Sequence, residues 1–115
     1  MFNVTIMRSP SFTNLNRFEE RCLFFLKDKA VSGEDIMINT NGDEIVEKFA
    51  QKYYIMCKKF PTEWKKYGKN ALKERNTKML SESNAVILFN DNTTDIKCFL
   101  AMAKEANVPY RVVNL

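Results

Sequence analysis

Five short apolar runs alternate with stretches of helical periodicity along the whole chain, and this alternation restricts the fold more than any single motif. The runs are FNVTIM (2–7), DIMIN (35–39), IMCKKF (55–60), NAVILF (84–89) and YRVV (110–113). Each is short and nearly continuous in apolar residues, the pattern of a strand covered on both faces. Between them, apolar residues recur three and four apart. Asn14 is a helix cap followed by Leu15, Phe18, Cys22, Phe25 and Leu26, and Gly42-Asp43 opens a second helix with Ile45, Val46, Phe49, Ala50 and Tyr53 on one face. Pro61 stops the third run and begins a loop, and a helix is predicted from about Lys69 to Glu82. Thr93 or Thr94 caps a last helix carrying Ile96, Phe99, Leu100 and Ala103. Strands separated by helices pair in parallel, with helices on both faces. The expectation is α/β: a three-layer Rossmann-like sandwich, a parallel sheet of about five strands with about four helices. Residues 1–115 form a single domain, with no repeat and no linker.

With 45% hydrophobic residues the chain can bury a proper core, which excludes disorder. FNVTIM, broken by Arg8, is too short for a signal peptide or a membrane span, so a cytoplasmic protein with no membrane partner is expected. Cys22, Cys57 and Cys98 are an odd number, far apart and set in apolar sequence, and read as buried free thiols. Histidine is absent. That removes Ser-His-Asp and Cys-His catalysis and the commonest zinc and iron sites. Neither a metal nor a cofactor is expected. Any proton transfer falls to a carboxylate, lysine, tyrosine, cysteine or the substrate.

In open parallel sheets ligands bind outside the carboxyl ends of the strands, near the switch in strand order. The loops there are Arg8-Ser9-Pro10-Ser11, Asn39-Thr40-Asn41-Gly42-Asp43 and Asn90-Asp91-Asn92-Thr93-Thr94-Asp95, joined by the long loop after Phe60. Each leads into a helix N-terminus, where free N–H groups favour phosphate or carboxylate. The same residue types also serve simply as caps and turn formers. The net charge of +4 is regional: residues 58–78 hold eight Lys/Arg against two Glu, a local +6. Lysines 65, 66, 69, 73 and 78 read as a charged rim that steers an anion or meets nucleic acid phosphates. No nucleic-acid-binding motif accompanies them. Leu72, Asn76, Met79 and Leu80 share one helical face with Arg75 beside it, so an amide and a guanidinium stand at the core's edge. They either recognise an anion or satisfy neighbouring protein groups. Trp64 and Tyr67 either stack on a base or ribose or anchor the loop over the sheet.

The order FPTEWKKYGKNALKERNTKML, SNAVILF, AKEANVPYRVV resembles the small YspA-type family of the SLOG superfamily, the Rossmann-like group that includes the LOG enzymes and the DprA domain. IMRSPSFTN is similar to that family's first loop, keeping Ser9 and Phe12-Thr13. The resemblance covers nearly the whole chain. It implies a nucleotide-derived or other phosphorylated small ligand, held by Ser9, Gly42, Asp43, Arg75 and Asn76 and flanked by Trp64 and Tyr67. Arg75 would contact phosphate, Asp43 ribose hydroxyls or a transferred proton, and Ser9 and Asn76 would donate hydrogen bonds. In the LOG branch it implies hydrolysis of the N-glycosidic bond of a nucleoside monophosphate. Family proteins of this kind are common in bacteriophage genomes, where the compartment would be the host cytoplasm. The chain departs from the family pattern where a glycine-pair loop is reduced to NTNGD, where Arg8 replaces glycine, and where Asp95-Ile96 replaces Gly-Thr. These changes weaken anion binding and leave the expectation between a divergent and an inactive hydrolase. The competing expectation is a non-enzymatic interaction module whose basic 58–78 face binds protein or nucleic acid. A homo-oligomer is compatible with either.

Overall fold

The computed structural model describes residues 1–90 and 94–114, with the side chains of Thr94 and Asp95 left aside. The elements are β1 (Phe2–Arg8), α1 (Leu15–Val31), β2 (Ile36–Thr40), α2 (Glu44–Lys52), β3 (Met56–Lys59), α3 (Trp64–Tyr67), α4 (Ala71–Ser81), β4 (Ala85–Asn90), α5 (Thr94–Glu105) and β5 (Tyr110–Asn114). The five strands form one parallel sheet in the order β3-β2-β1-β4-β5. Val4 of β1 stands level with Ile38 on one side and Ala85 on the other. This is the expected three-layer Rossmann-like architecture, with four longer helices and the one-turn α3.

Alternation along β1 divides the core. Val4 and Ile6 face α1 and α2, joining Phe12, Phe18, Cys22, Ile38, Val46, Phe49, Ile87 and Phe89. Met7 faces the other way, with Phe60, Met79, Leu80, Val86, Leu88, Ile96, Phe99 and Ala103 around α4 and α5. Two neighbouring residues of one strand thus serve opposite layers, as period-two geometry requires. Phe89 anchors the first cluster: it stacks on Phe18 at 4.6 Å and meets Phe12 edge-on at 5.1 Å. Thr5, pointing into the second layer, shares a hydrogen bond with Ser83 (Oγ1 to Oγ, 2.5 Å).

Several expectations are corrected. The loop after Pro61 contains the helical turn α3, and a 3-10 turn (Gly68–Asn70) separates it from α4, so α4 begins two residues later than predicted. Gly68 adopts φ +54, ψ −129, a conformation that no helix interior contains and that resets the chain direction. Leu15 and Leu72 are half-exposed, because each lies in the first turn of its helix, where the helix has not yet settled over the sheet. Only Cys22 is buried; Cys57 and Cys98 are exposed thiols. Cys57 lies on β3, an edge strand whose four residues are all exposed. The predicted Thr93 cap and the 91–93 part of the fourth loop lie outside the described residues, as does the Asp95 side chain. Among the described residues no helix is long and apolar enough to cross a membrane.

Candidate functional site

β1 connects towards β2 and β4 towards β5, so the strand order reverses between β1 and β4. Ser9 stands at that switch point, fully buried. Its N–H donates to Phe89 O (3.0 Å), and its carbonyl accepts from Phe12 N (2.9 Å). The preceding Arg8 folds its guanidinium back over this loop, where Nη1 donates to the carbonyls of Ser9 (3.2 Å), Pro10 (3.3 Å) and Phe12 (2.9 Å). The remaining edge meets Asp43: Nε to Oδ2 at 3.0 Å and Nη2 to Oδ1 at 3.2 Å. This two-bond fork is largely shielded from water, with side-chain exposures of 13% and 12%.

Asp43 is also the N-cap of α2, its Oδ1 accepting from Ile45 N at 2.9 Å. Gly42 N–H donates to Thr40 Oγ1 and Asp43 N–H to Asn41 Oδ1, each at 3.2 Å. Three N–H groups that a glycine-rich loop would offer to an anion are therefore engaged by the loop's own side chains. Gly42 has φ +101, and a Cβ there would come to 3.0 Å from Lys59 Cε. Thus Ser9, Gly42 and Asp43 are brought together, as the sequence placed them, but around Arg8. Arg8 is the residue that sequence reasoning missed as a site component. The available signal was an arginine following a buried strand, with an aspartate at the next helix cap.

The second group stands on the α4 side. Phe60 N–H donates to Thr40 O at 2.8 Å, which holds the long loop against the end of β2. Two residues on, Thr62 Oγ1 accepts from Arg75 Nη1 at 3.1 Å. Asn76 Oδ1 accepts from Arg75 Nε (3.2 Å) and Nη2 (2.8 Å), so Asn76 and Thr62 both hold the guanidinium plane. Arg75 and Asn76 are both partly buried, as their place at the core's edge predicted. A cavity of about 170 Å³ opens beside them, lined by residues including Pro61, Tyr67, Ala71, Arg75 and Lys78, with Glu63 and Glu74 at its wall. Tyr67 belongs to this group. Trp64 is 55% exposed and does not line the cavity. Lys66 lies 5.2 Å over the Tyr67 ring, and the hydrogen bond that its ammonium donates to the Tyr67 oxygen raises the ammonium pKa.

Lysines 65, 66, 69, 73 and 78 are exposed on the segment from α3 to α4, and Lys58 and Lys59 are exposed on β3. Lys58 pairs with Glu82 at 2.7 Å and Lys59 reaches Glu47 at 3.9 Å, which removes two of them from the free positive field. The arrangement can orient a small anion by one guanidinium, a tyrosine ring and surrounding ammonium groups. Compared with known proteins, the chain matches no family model and no curated protein.

Proposed function

We propose that this chain is a divergent SLOG-type module that binds a nucleotide-derived or other phosphorylated small ligand at the carboxyl edge of its sheet. The observation that carries this reading is the guanidinium of Arg75, oriented by Asn76 and Thr62, on a residue that lines a cavity together with Tyr67. An arginine with its plane fixed holds a positive charge in one place at the cavity wall, and little side-chain freedom is lost when the anion arrives. The exposed lysines raise the local concentration of anions by attraction at a distance. The Ser9–Gly42–Asp43 loops support the ligand's other end less directly, since Arg8 and the loop side chains already occupy their polar groups. For this reason binding, rather than N-glycosidic hydrolysis, is the function proposed.

Thermal shift against nucleoside mono- and diphosphates and ADP-ribose tests the reading. At least one should stabilise the protein, and the Arg75→Ala/Asn76→Ala double variant should abolish the effect. Base release from nucleoside monophosphates tests the catalytic extension separately. The second reading rests on Trp64, whose exposed indole sits among exposed lysines 65, 66 and 69. Aromatic and cationic groups interleaved in this way bind single-stranded nucleic acid by stacking and phosphate contact. Salt-sensitive DNA or RNA binding, lost in Trp64→Ala, with no response to any phosphorylated small ligand, would replace the first reading with this one.

A further inference from the structure

The flank of α1 that borders β5 carries Arg17, Arg21, Phe24 and Asp28, spaced four, three and four residues apart. That spacing keeps side chains on one seam of a helix, as in coiled coils. Among the described residues, the hollows beside this seam are lined by α1 itself, by strands and by loops, and by no other helix. Beside it lies a cavity of about 350 Å³ over the sheet, lined among others by Phe24, Phe25, Ile87 and Tyr110. A polar continuation runs along Arg17, Arg21 and Val112 to Asn114. Phe24 is 49% exposed, held between Arg21 at 4.7 Å and Lys27 at 4.4 Å from its ring. Among the described residues neither Arg17 nor Asp28 has an ion-pair partner.

We propose that this seam is the two-fold contact of a homodimer in which α1 packs antiparallel against α1 of a second copy. The charge order is what selects this occupant. About an axis level with the Cys22–Leu23 peptide, Arg17 falls opposite Asp28 of the second copy, and Arg21 opposite Phe24 of the second copy. Both relationships repeat by symmetry, giving two ion pairs and two cation–π contacts from four residues. A parallel arrangement would instead place Arg17 on Arg17 and Asp28 on Asp28. Each exposed ion pair contributes little by itself, so the apolar contribution comes from Phe24 and from covering the open sheet surface over β4 and β5. This contact lies on α1, away from Arg75, and does not depend on any ligand there.

The test is the mass of the full chain in solution, by sedimentation velocity or light scattering across a concentration series. The wild type should show a concentration-dependent dimer. Phe24→Glu should weaken it by on the order of ten-fold or more while circular dichroism stays native, since the ring is not in the core. Arg17→Asp alone sets aspartate against aspartate, and Asp28→Arg alone sets arginine against arginine, so each should self-associate more weakly than the wild type. Mixed together, these two variants restore both ion pairs and should form a one-to-one heterodimer. A wild type that is monomeric throughout overturns the proposal. So does a dimer indifferent to Phe24→Glu and to both charge reversals, which would place self-association on another surface.

Discussion

Arg8 and Asp43, thirty-five residues apart, close the carboxyl end of the sheet with a two-bond fork at 3.0 and 3.2 Å. The same guanidinium satisfies three carbonyls of the β1–α1 loop. Arg8→Ala should therefore destabilise the fold by about 2–4 kcal/mol in urea unfolding, because a shielded carboxylate and several carbonyls lose their donor together. Arg8→Lys should recover less than half of that, since one ammonium cannot serve both the fork and the loop. A loss under 1 kcal/mol for Arg8→Ala would show that water replaces the guanidinium freely.

Glu19 on α1 accepts hydrogen bonds from Lys52 (2.8 Å) and from the Tyr53 hydroxyl at the end of α2. The Lys52 hydrogen bond is the main cause that lowers the Glu19 pKa, and the bond to Glu19 raises that of Tyr53. A lowered carboxylate contributes stability above its unfolded pKa and loses it as pH falls through the folded value. A raised tyrosine contributes stability below its ordinary pKa and loses it as pH rises through the folded value. The melting-temperature advantage of wild type over Glu19→Gln should thus be greatest near neutral pH and shrink towards both extremes. A pH-independent difference would refute the clamp.

Gly42 sits at φ +101, where an L-residue is strained whatever the space around it. Gly42→Ala should cost about 1–2 kcal/mol. Most of this is backbone strain, because the 3.0 Å neighbour is the flexible Lys59 side chain, which can move aside. A Lys59→Ala/Gly42→Ala double variant should accordingly recover only a small part of the loss.

The thiols divide by exposure. In the native state a thiol reagent should modify Cys57 and Cys98, and Cys22 should react only after unfolding. Burial raises the Cys22 pKa, so even transient access would meet a thiol and not a thiolate. Burial also raises the Cys57 pKa, so native Cys57 should react more slowly at neutral pH than the same thiol in the unfolded chain. Three equally reactive native thiols would mean that α1 does not sit on the sheet as described.

The strands and longer helices were legible because each buried parallel strand is locally continuous in apolar residues. FNVTIM and NAVILF carry that signal without help from the rest of the chain. Local patterns do not encode strand order, so the edge position of β3 and the exposure of Cys57 were hidden. Nor does helical periodicity fix where a helix first meets the sheet, which is why Leu15 and Leu72 were assigned to buried faces. At the candidate site, the positions of Ser9, Gly42 and Asp43 at strand ends were legible, as was the partly buried station of Arg75 and Asn76. The Arg8 fork was not, because it depends on a contact between two loops distant in sequence. The α3 turn was concealed by Gly68, whose positive φ breaks a run that otherwise reads as loop followed by helix.

The place of β1 at the centre of the sheet has a consequence for synthesis. β1 leaves the ribosome before the other strands of the sheet, and β2 can pair with one of its edges early. Its other edge is completed only by β4, through the register Val4↔Ala85 to Arg8↔Phe89. Until the chain has grown to about that length, a strand carrying Val4, Ile6 and Met7 stands open along one side. The nascent chain therefore exposes a segment that is buried in the finished fold, and this is a window in which the protein is open to aggregation.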